Sequence, residues 1–597
     1  MIDQITHLCS FDYLQSFETN GSLPCVNAIH TSIGKSIEIS IDDRISIIMW
    51  IYQECVAFRF RHEVWFHAVI FITRCFEEIN ILKDQLKLYA TACLCISAKK
   101  YEMTIPDLRG HEIICDHSYT RWDIIRIEKK LFSVVNHNVD FPNVMEYIRY
   151  ITYISNACYE INTLSRVLCL YYFMYDIDVL PSVLATAAHS IANYIINNDC
   201  EGYNPFSTDV DTITIVCRRI QYRIRMLHVA DTNSELNDII SGTIKRSIPL
   251  MNWHETVERI CSMEFVVVDE SQKIDKIPEK YTPEYYKHQR RSVPTIQLKN
   301  IKHLNVIGEG TYGEVFSVEI DNKRYVCKKF IPSKDDEGLS MIFIREVSVL
   351  QTLSHENIVS VHFVADQHQS MIIDIMDCDL CEYIYDINSF GCNQQLQHRL
   401  MNDLLCGLVY MHSCGVLHRD IKPQNILIKG IWPNIEIKYC DFGGTRGTGI
   451  VCLNNTYTNR VCTLWYRAIE ILLGSRTYGS SADVWSLMCV FYEIDRRQIL
   501  FKGGSEVEQL QQIFKIMGTP DDSSWNGVTL LSEYDNNSPK WPNKKNEHFP
   551  ENSHSHSHSH SNSVLSCIIR EGLIMNPYNR PSAKMLLDYF DELMLEN

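Results

Sequence analysis

His418-Arg-Asp-Ile-Lys-Pro-Gln-Asn425 is the stretch that decides the fold of the C-terminal half, and Asp441-Phe-Gly443 follows it along the chain. Upstream, Gly308-Glu-Gly-Thr-Tyr-Gly313 has strand-like sequence on both sides. Glycines at this spacing let backbone amides approach phosphate oxygens, where a side chain would block the contact. Lys328 ends a strand-like run and could pair with the α and β phosphates of a nucleotide. Since such ordered matches rarely arise by chance, we expect these segments to form one nucleotide site.

The composition is that of a large globular protein. The chain has 597 residues, of which 46% are hydrophobic and 22% charged, so we expect roughly three or four folding units with ample core. The 73 acidic residues outnumber the 56 basic ones and give a net charge of -17, which argues against a nucleic-acid partner. The 23 cysteines follow no framework spacing, and we expect most of them to be small buried residues.

The sequence also bears on export and membrane insertion. No Lys or Arg precedes Lys35, so a basic signal region for secretion is not expected. The longest stretch without formal charge, Val179–Asn198, contains Pro181, His189 and several Asn, and we interpret it as a buried helix rather than a membrane span. We therefore expect an intracellular protein with no membrane partner, and the sequence leaves cytoplasm and nucleus both open.

Periodicity and composition divide the chain into four parts. Residues 1–38 are an N-terminal extension, and residues 39–230 carry apolar side chains at the spacing of amphipathic helices. Residues 231–298 are richer in proline and charge, which predicts a linker. From 299 to 597, short β-rich runs precede long helical stretches, as in an α+β unit. Ser and His alternate over 553–561, which we interpret as a solvated low-complexity loop, with metal capture as the alternative.

The region from Ile301 to the C-terminus resembles a protein kinase, and more narrowly a cyclin-dependent kinase of the CMGC type. The strings that carry the narrower resemblance are Gly308-Glu-Gly-Thr-Tyr-Gly313, Ile344-Arg-Glu346, His418-Arg-Asp-Ile-Lys-Pro-Gln-Asn425 and Thr463-Leu-Trp-Tyr-Arg467. The resemblance implies a bilobal α+β kinase fold, ATP and Mg²⁺ as cofactors, and transfer of the ATP γ-phosphate to Ser or Thr of a protein.

The resemblance implies roles for the catalytic residues. Asp420 would orient the substrate hydroxyl and accept its proton. Lys422 would lie beside the transferring phosphate, where Ser/Thr-specific members of the family carry a lysine, so tyrosine specificity is not expected. Asn425 and Asp441 would hold magnesium, and Thr463 completes the predicted catalytic set.

A second set of residues is predicted to hold ATP. Glu346, on a helix similar to the family's PSTAIRE helix, would pair with Lys328, so the position of this lysine would depend on that helix. The ATP-binding residues that the resemblance implies are Ile307, Gly308, Glu309, Gly310, Thr311, Tyr312, Gly313, Val315, Lys328, Asp374 and Met376.

The resemblance also implies regulation by phosphorylation. Thr458 matches the activating threonine of the family, and either the protein itself or an upstream activating kinase would modify it. A phosphate carries about -1.5 to -2 charges and needs arginines around it. The phosphate-gripping residues implied here are Arg345, Arg419 and Arg446. Phosphorylation of Thr311 or Tyr312 would place negative charge against ATP and inhibit, the alternative being that both side chains only pack the loop.

The helical part of the chain resembles a cyclin. Ser97-Ala-Lys-Lys-Tyr-Glu102 is similar to the family's ASKFEE-like string, and Leu180-Pro-Ser-Val183 is similar to the start of the second cyclin repeat. The resemblance implies an all-α double cyclin fold. It also implies that Lys99 and Glu128 contact the kinase helix and the loop before it, the alternative being two exposed helix charges.

Both halves on one chain predict a kinase that carries its own cyclin activator and docks on it intramolecularly. A flexible linker of about 68 residues spans roughly 45 Å and keeps the partner at high local concentration. Arg467 resembles the site that prefers proline after the modified residue, so we expect protein substrates with Ser/Thr-Pro sites and a role in cell-cycle or transcription-type regulation. Two alternatives stay open: an inactive scaffold that binds cell-cycle partners, favoured by the departures Gly444 and Met488, and a cyclin module that activates a separate kinase in trans.

Overall fold

The computed structural model describes residues 39–102, 118–139, 158–175, 181–197, 293–296, 301–310, 313–330, 338–365, 369–386, 394–414, 416–444, 446–447, 464–475, 479–549 and 564–596. Isolated residues and short runs between 108 and 260 are described as well. The predicted extension 1–38, the Ser/His run 553–561 and nearly all of the predicted linker 231–298 lie outside the described residues.

The described N-terminal part is helical. Its helices are α1 Ile41–Ala57, α2 His62–Glu78, α3 Leu86–Tyr101, α4 Arg121–Val134, α5 Tyr159–Tyr175 and α6 Pro181–Asn197. Capping boxes begin two of them, with Ser40 and Asp43 at α1 and Thr120 and Asp123 at α4. α3 is buried along nearly its whole length, so the other helices surround it.

Within the uncharged stretch 179–198, residues 181–197 form α6, with Leu184, Ala188 and Ile191 fully buried, as the sequence predicts. Among the residues that the structure describes, no helix combines the length and the apolar character needed to cross a membrane.

A five-stranded antiparallel sheet opens the C-terminal part. It consists of β1 Lys302–Gly310, β2 Gly313–Ile320, β3 Lys323–Phe330, β4 Val361–Ala365 and β5 Ser370–Ile373, in the order β1-β2-β3-β5-β4. The helix α7, Met341–Thr352, lies between β3 and β4 along the chain. Lys328 pairs with Val315 on β2 and with Met371 on β5. This lysine therefore sits on an inner strand, in a fixed register.

The rest of the C-terminal part is mostly helical. Its helices are α8 Leu380–Tyr385, α9 Gln394–Ser413, α10 Ile469–Leu472, α11 Ser480–Arg496, α12 Glu506–Met517, α13 Lys545–His548, α14 Val564–Gly572 and α15 Ala583–Glu596. Its short strands are β6 Cys378–Asp379, β7 Val416–Leu417, β8 Ile426–Ile431, β9 Asn434–Tyr439 and β10 Arg446–Gly447. Residues 418–425 connect β7 to β8, and Asp441 lies two residues after the end of β9, so both predicted motifs lie where strands end.

One hydrophobic core runs through both parts of the chain. Phe343 on α7 is fully buried, and its ring lies 5.6 Å from that of Phe132 on α4 and 5.3 Å from that of Phe330 on β3. Aromatic pairs at such distances add to the free energy gained by burial. The predicted multidomain fold, with an all-α region followed by an α+β region of two lobes, is confirmed.

Candidate active site

The β1–β2 hairpin forms one wall of the site. Gly308 pairs with Val315, and Gly310 with Gly313, while Thr311 and Tyr312 at the tip lie outside the described residues. A Cβ atom on Gly313 would lie 1.9 Å from the carbonyl oxygen of Lys329, so the close approach of β2 and β3 requires glycine there. A Cβ atom on Gly308 would meet no atom within 4 Å. Packing therefore does not require a glycine at 308, and its lack of a side chain leaves the strand open to a ligand.

Lys328, Glu346 and Asp441 meet at the centre of the site. The Lys328 Nζ atom lies 2.8 Å from both carboxylate oxygens of Glu346 and 3.2 Å from Asp441 Oδ1. Burial alone would lower the pKa of Lys328, but the two carboxylates outweigh it and raise this pKa above its usual value. Burial raises the pKa of Glu346 to about 7, although Lys328 favours its charged form. The ion pair between Lys328 on β3 and Glu346 on α7 is thus formed, a state that we call closed. Lys328 is held in its charged form.

The loop after β7 gathers three of the predicted catalytic residues. Lys422 Nζ lies 2.5 Å from Asp420 Oδ2, and Asn425 Nδ2 donates to the same oxygen over 3.0 Å and to the Asp420 backbone carbonyl over 2.8 Å. These contacts fix the Asp420 carboxylate, which is partly exposed. The arrangement suits a base that must present one oxygen to a substrate hydroxyl.

Asp483 on α11 holds this loop from behind, a role that the sequence analysis missed. Its fully buried carboxylate accepts the backbone N–H of His418 over 2.9 Å and that of Arg419 over 2.7 Å. Arg419 has a φ of 68°, in the left-handed region that costs free energy for a side chain other than glycine. The two charged hydrogen bonds stabilise this backbone conformation, which in turn places Asp420.

Asn425 and Asp441 have the donor chemistry that magnesium requires. Burial alone would raise the pKa of Asp441, but Lys328 and other nearby cations lower it below the usual range, so its carboxylate is ionised. Asn425 uses its amide nitrogen on Asp420, which leaves the amide oxygen to act as a ligand. Oxygen atoms of this kind are the ligands that Mg²⁺ takes in nucleotide sites. These two residues would hold the ion.

The segment after β5 contains the predicted residues Asp374 and Met376. The Asp374 carboxylate accepts hydrogen bonds from Lys438 Nζ and the Ser360 amide, over 2.8 and 2.9 Å, and its other oxygen lies 2.8 Å from His362 Nε2. This side chain joins β4 to β9. A nucleotide base would therefore form hydrogen bonds with the backbone of Asp374 and not with its carboxylate. Ile307 on β1, which is 55% exposed, offers an apolar side chain to such a base.

Two family models match the chain. The model described as "Protein kinase domain" matches residues 301–590. Over these residues the chain is similar to a protein kinase domain, and we call this part the kinase domain. The model described as "Cyclin, N-terminal domain" matches residues 11–140, a range that contains α1 to α4.

A buried ion pair within the cyclin domain lies against the kinase domain. Lys99 Nζ and Glu128 Oε1 form this pair, and both side chains are almost completely buried. The other carboxylate oxygen of Glu128 accepts the backbone N–H of Leu339, just before α7, over 2.9 Å. A Cβ atom on Gly338 would lie 2.1 Å from this oxygen, so glycine is required for the close approach. The sequence analysis had no local signal for Gly338.

The inner face of α7, which carries Arg345 and Ser348, makes further contacts with the cyclin domain. Arg345 donates from Nε to the carbonyl oxygens of Lys99 and Lys100, over 3.0 and 3.1 Å, and from Nη2 to that of Glu102 over 2.5 Å. Ser348 Oγ accepts the Val139 amide over 3.3 Å. Arg345 is one of the predicted phosphate-gripping residues, and the structure places its guanidinium on the end of α3.

The other predicted regulatory residues are only partly described. Arg446 lies on β10, which pairs with β7 beside the catalytic loop, but its side chain, like Thr458 and Thr463, lies outside the described residues. Arg467 is described, and its Nη1 atom lies 2.7 Å from Glu506 Oε1 on α12. The contacts of a phosphate at Thr458 therefore stay a prediction.

The departures from the kinase pattern are accommodated in the kinase domain. Met488 on α11 is fully buried over Gly572, where a Cβ atom would lie 2.4 Å from the Met488 sulfur. A glycine opposite thus makes room for the larger side chain. On α10, Glu470 forms a completely buried ion pair with Arg580, with nitrogen–oxygen distances of 2.9 and 3.0 Å. A Cβ atom on Gly444 would meet only the His418 carbonyl oxygen, at 3.8 Å, so nothing clashes there.

Proposed function

We propose that the protein is an ATP- and Mg²⁺-dependent Ser/Thr protein kinase of cyclin-dependent type, activated in cis by its own cyclin domain. The observation that carries the proposal is the closed Lys328–Glu346 pair on a helix that the cyclin domain contacts at its N-terminal end and along its inner face. A role in cell-cycle or transcription-type regulation belongs to the same proposal, since cyclin domains place the corresponding helix of such kinases.

Different residues of the chain have different roles in phosphoryl transfer. ATP supplies the phosphoryl group, and Mg²⁺ neutralises charge on its phosphates. Lys328 binds and orients the phosphates, Asp420 orients the substrate hydroxyl and takes its proton, and Lys422, in contact with Asp420, places a positive charge beside the reacting atoms. A positioned base contributes about 10²- to 10⁴-fold to the rate.

The way in which α7 is held supports the proposed activation in cis. Glu346 reaches Lys328 only while α7 packs against the sheet, and Phe343, Arg345 and Ser348 on the same helix contact the cyclin domain. Undocking would expose these groups to water and release the helix. Docking and formation of the ion pair are therefore coupled through one rigid element.

Preference for Ser/Thr-Pro sites rests on Arg467 and the segment around it. Arg467 pairs with Glu506, and the neighbouring Trp465 donates from its indole nitrogen to the Gly503 carbonyl over 2.9 Å. Glu506 at the start of α12 and Gly503 just before it thus hold this segment in place, which supports its proposed role in binding the substrate residue after the modified position.

The test is phosphate transfer from labelled ATP to a Ser-Pro peptide and a matched Ser-Ala peptide. The full chain should modify the Ser-Pro peptide far faster, and an Asp441→Asn chain should modify neither. Absence of transfer by the full chain, even after treatment with an activating kinase, would favour the scaffold alternative. Equal transfer to both peptides would refute the proline preference alone.

A mixing experiment separates activation in cis from activation in trans. A Glu128→Ala chain has an impaired cyclin contact and an intact kinase site, while an Asp441→Asn chain has the reverse. Each chain should be weakly active or inactive alone, and the proposal predicts that the mixture gains nothing. Recovery of transfer in the mixture would mean that a cyclin domain activates another molecule's kinase domain.

A further inference from the structure

The segment before α7 is held from two sides, and only one of them belongs to the cyclin domain. Glu128 accepts the Leu339 amide on the cyclin side. On the kinase side, Gln369 Oε1 accepts the amide of Ser340, and Gln369 Nε2 donates to the Gly338 carbonyl over 3.3 Å. Polar groups on three consecutive residues, 338 to 340, are thus fixed by one carboxylate and one carboxamide.

The Gln369 side chain is suited to this task and is rigidly placed. It is buried, at 6% exposure, in the turn between β4 and β5, and its own carbonyl accepts the Phe330 amide over 2.9 Å. A carboxamide carries a donor and an acceptor on one planar group, so neither a carboxylate nor an apolar side chain can replace both contacts. The sheet of the kinase domain therefore positions the start of α7 through the two hydrogen bonds of Gln369.

Among the residues that the structure describes, no other side chain caps the start of α7. Ser340 is the N-cap residue, and its hydroxyl makes no capping hydrogen bond. Six residues further on, about 9 Å along the helix, Glu346 meets Lys328. A shift of the first turn would move Glu346 as well, because a helix transmits displacement along its axis.

From this geometry we propose that Gln369 is a positioning residue for phosphoryl transfer. It fixes the peptide groups of residues 338–340. The hydrogen bond between Glu128 and the Leu339 amide then sets the position of α7, and in that position Glu346 forms its ion pair with Lys328. Without Gln369 the cyclin domain would still contact Phe343 and Arg345, but the segment that links Glu128 to the helix would lose its anchor on the sheet. This inference rests on the proposed kinase activity for its effect on turnover, not for its effect on the segment.

The experiment compares full-length Gln369→Leu with Gln509→Leu. Gln509 on α12 is a matched control: it is fully buried, accepts the Gly503 amide over 2.8 Å and donates to the Trp465 carbonyl over 3.2 Å, in the other lobe. Both variants lose two hydrogen bonds and should lose similar thermal stability. Hydrogen exchange at single-residue resolution is measured on both variants, and steady-state kinetics with the Ser-Pro peptide are measured on Gln369→Leu and the wild-type chain.

Gln369→Leu should speed exchange of the Leu339 amide about 5- to 30-fold, although Gln369 does not touch that amide, and Gln509→Leu should leave it unchanged. The kcat of Gln369→Leu should fall by at least about twofold and at most by the same 30-fold, with the peptide KM unchanged. Gln369→Glu keeps the acceptor for Ser340 and loses the donor, so it should fall between wild type and Gln369→Leu.

An unchanged Leu339 exchange rate in a stable Gln369→Leu chain would overturn the proposal, and so would equal acceleration by Gln509→Leu. If Gln369→Leu does not fold, the exchange rate of the Leu339 amide in Gln369→Glu is compared with that in Gln509→Leu instead. A wild-type chain without transfer activity would refute the proposed function, and the exchange rates would still decide whether Gln369 positions the segment.

Discussion

Replacing Gly338 with alanine should undock α7 from the cyclin domain. Gly338 has a φ of 74°, and an alanine in this left-handed region costs about 1–2 kcal/mol. The new Cβ atom would lie 2.1 Å from Glu128 Oε2, so the carboxylate must move and give up the Leu339 amide. A hydrogen bond to a charged group contributes about 1.5–3 kcal/mol, so the docked state loses about 2.5–5 kcal/mol in all.

Gly527→Ala is the matched control for this change. Gly527 has a φ of 80°, but a Cβ atom there would meet nothing within 4 Å, so only the backbone cost applies. The excess effect of Gly338→Ala is then about 1.5–3 kcal/mol, or about 10- to 150-fold in the docking equilibrium. The assay is hydrogen exchange of the α7 amides in the full chain, with peptide phosphorylation measured in parallel.

A double variant identifies the cause. With Glu128→Ala in place, the carboxylate that clashes is gone, and adding Gly338→Ala should then cost no more than Gly527→Ala does. The reasoning fails if Gly338→Ala affects α7 exchange no more than the control. It also fails if the free-energy costs of Glu128→Ala and Gly338→Ala add in full, because the alanine would then clash with a group other than the Glu128 carboxylate.

Three further changes test other parts of the site. Asp420→Asn should lower kcat by about 10²- to 10⁴-fold with thermal unfolding unchanged, and normal turnover would exclude it as the base. Burial alone would raise the pKa of Asp374, but His362, Lys438 and the Ser360 amide lower it below the usual value, so its charge stabilises the fold above about pH 4. Asp374→Asn should therefore cost about 1–3 kcal/mol of unfolding free energy at pH 7, and the difference from wild type should shrink as the pH falls below 4 in acid titrations. Met488→Ala should cost about 2–5 kcal/mol through the cavity it leaves, as seen in calorimetry, with the KM for ATP unchanged.

Much of the site could be predicted because its residues lie in short contiguous segments. The spacing of Asp420, Lys422 and Asn425 is set by one loop and one turn, so a sequence string contains their whole arrangement. Lys99 and Glu128 were also predicted from local strings, and the structure places both against the kinase domain. Their function as activators in cis stays a prediction.

The rest could not be read from the sequence because it depends on distant segments that meet only in the fold. Glu128 and Leu339 are 211 positions apart, and nothing near Gly338 signals that a carboxylate will lie against it. Met488 suggested a damaged kinase, whereas Gly572 opposite makes room for it. Nothing in the string around Arg345 signals that its guanidinium will bind cyclin carbonyl oxygens, and its contact with a phosphate stays a prediction.

The most direct test of activation in cis is the specific activity of the wild-type chain on dilution. Initial rates of Ser-Pro peptide phosphorylation would be measured over about a thousandfold range of protein concentration, since an intramolecular contact is independent of concentration. The proposal predicts a constant rate per molecule across the range. A rate per molecule that falls with dilution would show that the kinase domain depends on a second chain, and a complete absence of transfer would contradict the proposed activity itself.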